Sequence, residues 1–127
     1  FHLLLYPVTQ IGAWLSSKSD YASSFYLTTE RMDWYDEQYA GPADDYRASP
    51  LQGEDLAGIA PAWIVTALAD PLRDEGEAYA ERLADAGVPV RCDRFPLVHA
   101  WFNITASRSS RAAHAVLAEG LARRFAD

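Results

Sequence analysis

A single cysteine, Cys92, in 127 residues excludes an intrachain disulfide and any thiolate metal cluster. Positive charge is scarce too: 11 Lys and Arg against 18 Asp and Glu leave a formal net charge of -7, and Lys18 is the sole lysine. Phosphate backbones and anionic membranes are bound by clustered Lys and Arg, so nucleic acid and acidic lipid are excluded as partners. No apolar run approaches the roughly 20 residues that a membrane-spanning helix needs. Internal repeats and low-complexity tracts are also missing. The compartment stays open, because a leader would precede Phe1, with the cytoplasm as the default expectation.

Half of the residues are hydrophobic, enough for a real core in one domain. The first six, Phe1-His2-Leu3-Leu4-Leu5-Tyr6, read as a strand buried on both faces and ended by Pro7, the pattern of a parallel sheet. Such a strand needs neighbours, so the chain is expected to be a C-terminal portion of a larger domain and to pack against the rest of it. Residues 1–12 are assigned to that core. Residues 13–48 change character: aromatics such as Trp14, Tyr21, Phe25, Trp34 and Tyr46 alternate with Ser, Asp and Glu without strand periodicity. Short helices are expected there, one starting near Thr28-Thr29-Glu30-Arg31 with a threonine cap, as in a lid or cap segment.

Residues 49–127 return to the core. Ala62 to Leu68 is a second buried strand between Pro61 and Asp70. Leu72, Tyr79, Leu83 and Ala86 recur at helical spacing, with Gly87 placed to end the helix. Val88, Val90 and Cys92 then alternate with Pro89, Arg91 and Asp93, which predicts a half-exposed edge strand. Ala113, Val116, Leu117, Leu121 and Phe125 mark a last amphipathic helix between Ser109 and Phe125. The fold class is therefore α/β, a mostly parallel sheet with flanking helices.

In open parallel sheets ligands gather beyond the carboxyl ends of the strands. Asp70 follows one such end, and His99 lies in the loop after the next strand. A carboxylate that accepts a proton from one imidazole nitrogen leaves the other free to act as a base toward a serine. No serine in the chain has glycines two positions to either side, so the Gly-x-Ser-x-Gly elbow that would supply this nucleophile is absent. Taken alone, Asp70 also fits a turn and helix-capping role, and Asp74 and Glu75 fit the first turn of the helix. His2 and His114 read as structural. Cys92 reads as packing, with no fixed cation beside it to make it a nucleophile.

The residues that carry most information are Asp70-Pro71-Leu72-Arg73-Asp74-Glu75-Gly76, together with Leu4-Leu5-Tyr6-Pro7-Val8, Ser49-Pro50-Leu51, Pro61 to Ala67, Tyr79 to Leu83 and Ala86 to Val90. Over nearly the whole chain this resembles the bacterial hormone-sensitive lipase-like esterases of the α/β-hydrolase superfamily. The resemblance implies that Asp70 is the triad acid, His99 the general base, and residues 13–48 part of a cap. It implies hydrolysis of small esters, of short to medium acyl chain, without metal or organic cofactor. The serine and the oxyanion donors would lie upstream of this chain, which alone would be inactive. Met32, Trp34 and Tyr35 become candidates to line an acyl pocket or to pack the cap, with equal weight. After the histidine the family usually has glycine; here Ala100 and then Trp101 follow, and both are candidates to shape the substrate site. Three alternatives stay open: a non-catalytic small-molecule-binding relative, a peptidase-type hydrolase, and a doubly wound domain in which Asp70 and His99 never meet. A homo-oligomer also stays open.

Overall fold

In the computed structural model, which describes residues 1–23 and 25–126, β1 (His2–Leu5), β2 (Ala62–Ala69) and β3 (Val90–Val98) form one parallel sheet. Ser24 of the cap segment and Asp127 of the C-terminal segment lie outside the described residues. Strand β2 is central, with Leu3 beside Trp63 on one side and Arg91 on the other.

Alternation along β2 creates two cores. Ala62 and Ile64 face helix α3 (Arg73–Asp85) and pack with Tyr79, Ala80, Leu83 and Val88. Trp63, Val65 and Ala67 point the other way, toward helix α4 (Arg108–Arg124), and pack with Trp101, Ala113 and Leu117. Because both faces are covered, β2 is apolar apart from Thr66, whose hydroxyl donates to Glu77 at 2.8 Å. Ile64, Val65 and Leu83 are wholly buried, each contributing about 1.5–3 kcal/mol of hydrophobic free energy. Gly87, at φ +79, turns the chain out of α3 in a backbone region that side chains disfavour. At the start of α4, Ser107 accepts a hydrogen bond from the Ser110 amide.

Three expectations need correction. Strand β3 begins at Val90 rather than Val88 and continues to Val98. Pro89 has no N–H to donate, although its carbonyl accepts from Ala62; beyond it, β2 offers a partner for nearly every residue. Pro96 is tolerated inside β3 because the strand pairs only with β2 among the described residues. Cys92 is exposed on this edge rather than packed. Partial burial of its thiol, then the Glu77 and Asp93 carboxylates, push it up to about 11, so it stays protonated at neutral pH. On α4, Val116 and Phe125 are exposed; the buried stripe is Ser110, Ala113, Leu117 and Gly120.

Between β1 and β2, among the described residues, lie two α-helices, α1 (Ser16–Asp20) and α2 (Thr29–Tyr39), and a short 3-10 turn at Pro50–Gln52. The Thr28 hydroxyl accepts from the Arg31 amide at 3.2 Å and so starts α2 where the sequence predicts. Only Met32 of this helix is buried; with Leu27 and Leu72 it forms a small cluster that ties α2 to the start of α3.

Candidate active site

Strand register brings the acid and the histidine together. Ala69, the last residue of β2, pairs with Val98, the last of β3, after an irregularity that follows Ala67. Each strand therefore releases its next residue, Asp70 or His99, at the same level of the sheet. The two are 29 positions apart in sequence, yet His99 Nδ1 lies 2.9 Å from Asp70 Oδ2. Asp70 is wholly buried, and its other oxygen accepts from the Leu72 amide at 2.9 Å. A carboxylate only accepts, so Nδ1 is the donor, and in the neutral imidazole Nε2 then keeps its lone pair. The Tyr6 ring packs edge-on to the imidazole, with centroids 4.6 Å apart.

The residues after Asp70 explain why the string is so specific. Arg73 reaches back to the Leu68 carbonyl at 3.1 Å and sideways to Asp74 at 2.7 Å. Asp74 accepts from the Ser17 amide at 2.8 Å, and the Ser17 hydroxyl donates to the Pro71 carbonyl at 2.7 Å. Burial opposes the charge on Asp74, but Arg73 and the Ser17 amide hold its carboxyl below the usual range. Glu75, 1% exposed, accepts from the Thr9 and Gln10 amides at 2.7 and 3.1 Å. Its carboxyl is pushed up by burial, which those amides and Lys18 only partly offset. At Gly76 an added Cβ would stand 3.2 Å from the Thr66 methyl, tighter than ordinary packing, and in ordinary contact with Pro7 at 3.5 Å. Asp74 and Glu75 thus do more than favour the helix dipole: they fasten the chain between β1 and α1 to the start of α3.

Beside His99 opens a cavity of about 290 Å³. Leu5, Leu27, Met32 and Leu72 give it an apolar floor, Tyr6 and Tyr35 flank it, and Gln10, Lys18 and Asp36 supply its polar atoms. Of the proposed pocket residues, Met32 and Tyr35 share this cavity with His99. Trp34 does not; it is 54% exposed and stands edge-on to Tyr35. Trp101 is wholly buried against Tyr6 and Phe95, so it supports the histidine loop from beneath. Ala100 is also buried and adopts φ +59. Its methyl sits at the one backbone setting where glycine is free of strain, which is a shape imposed on the loop rather than a wall of the cavity.

Lys18, Tyr6, Gln10 and Asp36, with the apolar Leu5, Val8, Leu27 and Leu72, are the lining residues that sequence reasoning missed. The only signal was that Lys18 is the sole lysine, and its burial depends on packing that sequence does not display. His114 donates from Nε2 to the Phe102 carbonyl at 2.9 Å, away from this site. A second depression, about 820 Å³, lies along the loop before β2 and Tyr79 and contains no histidine. Among the described residues no cluster of three His, Cys, Asp or Glu could hold a metal, and no helix is long and apolar enough to cross a membrane.

Residues 1–103 match the family model described as alpha/beta hydrolase fold. The chain belongs to the α/β-hydrolase family. It is 46% identical over 91 residues to the carboxylic ester hydrolase LipN of Mycobacterium tuberculosis, covering 68% of this chain and 24% of that protein. To the ethyl acetate hydrolase of Pseudomonas putida it is 40% identical over 97 residues, covering 74% of this chain and 30% of that one. Among solved structures, a thermostable esterase from Pseudomonas putida superposes with a TM-score of 0.82 at 37% identity, covering 87% of this chain and 38% of that chain. A Pyrobaculum calidifontis esterase does so at 0.84 and 32% identity, covering 92% and 40%. The chain thus spans well under half the length of these esterases, and the match supports its resemblance to the hormone-sensitive lipase-like group.

Proposed function

We propose that this hydrolase forms the acid and base side of a carboxylic ester hydrolase. The observation that carries the proposal is the 2.9 Å contact between His99 Nδ1 and the wholly buried Asp70 carboxylate, beside a cavity. Asp70 fixes the tautomer and orientation of His99. Nε2 takes the proton from a serine hydroxyl as the oxygen attacks the ester carbonyl, then returns it to the departing alcohol, leaving an acyl-enzyme. Water repeats the cycle in reverse and frees the acid. The serine and the amides that hold the oxyanion come from a segment outside this chain, since no Gly-x-Ser-x-Gly lies within it.

Residues 13–48 act as part of a cap, with Met32 and Tyr35 bordering the acyl group. The apolar floor suits short to medium acyl chains. No cofactor enters this chemistry. In the intact hydrolase, His99→Ala should lower kcat on a p-nitrophenyl ester by about a million-fold, the loss expected when a triad base is removed. Hydrolysis within tenfold of the parent by that variant would overturn the assignment.

A further inference from the structure

Lys18 is the chain's sole lysine and it is 5% exposed, which is costly for an ammonium that must leave water. Its one carboxylate neighbour, Glu75, lies at 4.0 Å, beyond hydrogen-bond distance. Glu75 spends its Oε1 on the Thr9 and Gln10 amides instead. Among the described residues, the hydrogen bonds of the site leave Nζ without an acceptor, although Lys18 lines the same cavity as His99. The only lysine of the chain thus borders a largely apolar cavity that it shares with the candidate base.

The charges around it decide which acceptor fits. Glu75 lies beside Lys18, and Asp36 lines the cavity, so two carboxylates already oppose one ammonium. An anionic substrate would add a third negative charge. A neutral oxygen takes an N–H without that repulsion.

We propose that Lys18 is a specificity-determining residue of this hydrolase: it donates to a hydroxyl, oxo or ether oxygen on the acyl chain of the substrate, favouring oxygenated acyl esters over plain alkyl ones. The proposal rests on the esterase reading above. Hydrogen bonds to charged groups discriminate by about 10- to 100-fold, and that is the expected preference.

The test compares kcat/KM for p-nitrophenyl 3-hydroxybutyrate with that for p-nitrophenyl butyrate in the intact hydrolase. The ratio should be about 10 to 100 in the parent, fall toward 1 in Lys18→Met whatever the absolute rates, and persist in Lys18→Arg, which keeps its donors. Equal ratios in the parent and Lys18→Met would overturn the proposal, as would a Lys18-dependent preference for p-nitrophenyl hemisuccinate, which would make the site an anion site. The same selectivity is read without turnover from the dissociation constants of 3-hydroxybutyramide and butyramide by titration calorimetry. Selective binding by a protein that hydrolyses neither ester would defeat the esterase reading and uphold Lys18. Hydrolysis with no selectivity would do the reverse.

Discussion

In the middle of the sheet the buried side chains are apolar apart from Thr66: Ile64, Val65 and Ala67, with Leu83 of α3 packed on that layer; at its carboxyl end polar ones, Asp70, Thr9, Ser17 and Glu75, are buried beside Leu72 and Trp101. The first group asks only for volume and contact. The second asks that every buried oxygen find a partner, and Asp70, Ser17 and Glu75 each find two or more. A region built this way tolerates little displacement, because an unpaired buried acceptor costs more than a lost methyl contact. The polar end is therefore where the chain holds an acid and a histidine in one orientation, and the apolar middle is what holds that end in place.

The comparison is broken most severely at the polar end. Asp70→Asn keeps an oxygen for the Leu72 amide but turns an NH₂ toward His99 Nδ1, which forces the wrong tautomer. A fall in kcat of about ten-thousand-fold, with the folded fraction unchanged by circular dichroism, is expected. Activity within tenfold of the parent would remove Asp70 from the mechanism. Leu83→Ala strikes the middle instead and should cost about 2–5 kcal/mol in urea unfolding, while kcat per folded molecule stays near that of the parent.

Glu75 sharpens the comparison through pH. Its carboxyl is raised by burial above the ordinary 4.5, so the folded chain holds the proton more tightly than the unfolded one. The contribution of this group to stability is full below pH 4.5 and is lost as pH rises through the folded value. Glu75→Gln keeps an acceptor for Thr9 and Gln10 but does not ionise. Its Tm relative to the parent should climb from pH 4.5 upward; a difference that stays flat with pH would contradict the raised value. The smallest effect is expected at Ala100→Gly. Relief of a left-handed alanine, roughly 1–2 kcal/mol, is offset by the entropy of glycine, about 0.5–1 kcal/mol. A net gain of about 0.5–1 kcal/mol should appear as a higher Tm.

Much of the layout is legible without coordinates. The apolar run of β2, the helical spacing of Tyr79 and Leu83, Gly87 as a stop and Thr28 as a cap all depend on neighbours within a few residues. Strand β3 is where local reading failed. Alternation over Val88 to Asp93 is visible, but its extension to Val98 is decided by pairing with β2, whose partner residues lie 28 positions earlier up to Phe95 and 29 earlier at Val98. The candidate site divides in the same way. Asp70 and His99 are nameable from their places after strands, whereas the separation of Met32 and Tyr35 from Trp34 depends on how α2 rolls onto Leu72.

By itself the sequence determined the buried strand β2, the helices on either side of β3 and the parallel character of the sheet, and it named Asp70 and His99 as candidates for acid and base, because these follow from local spacing and residue type. Only the tertiary structure decided that Ala69 pairs with Val98, that Trp101 lies under the histidine loop, and that Lys18 is drawn inside toward Glu75. Those outcomes come from register and close packing between distant segments, where one residue of slip would exchange a buried face for an exposed one.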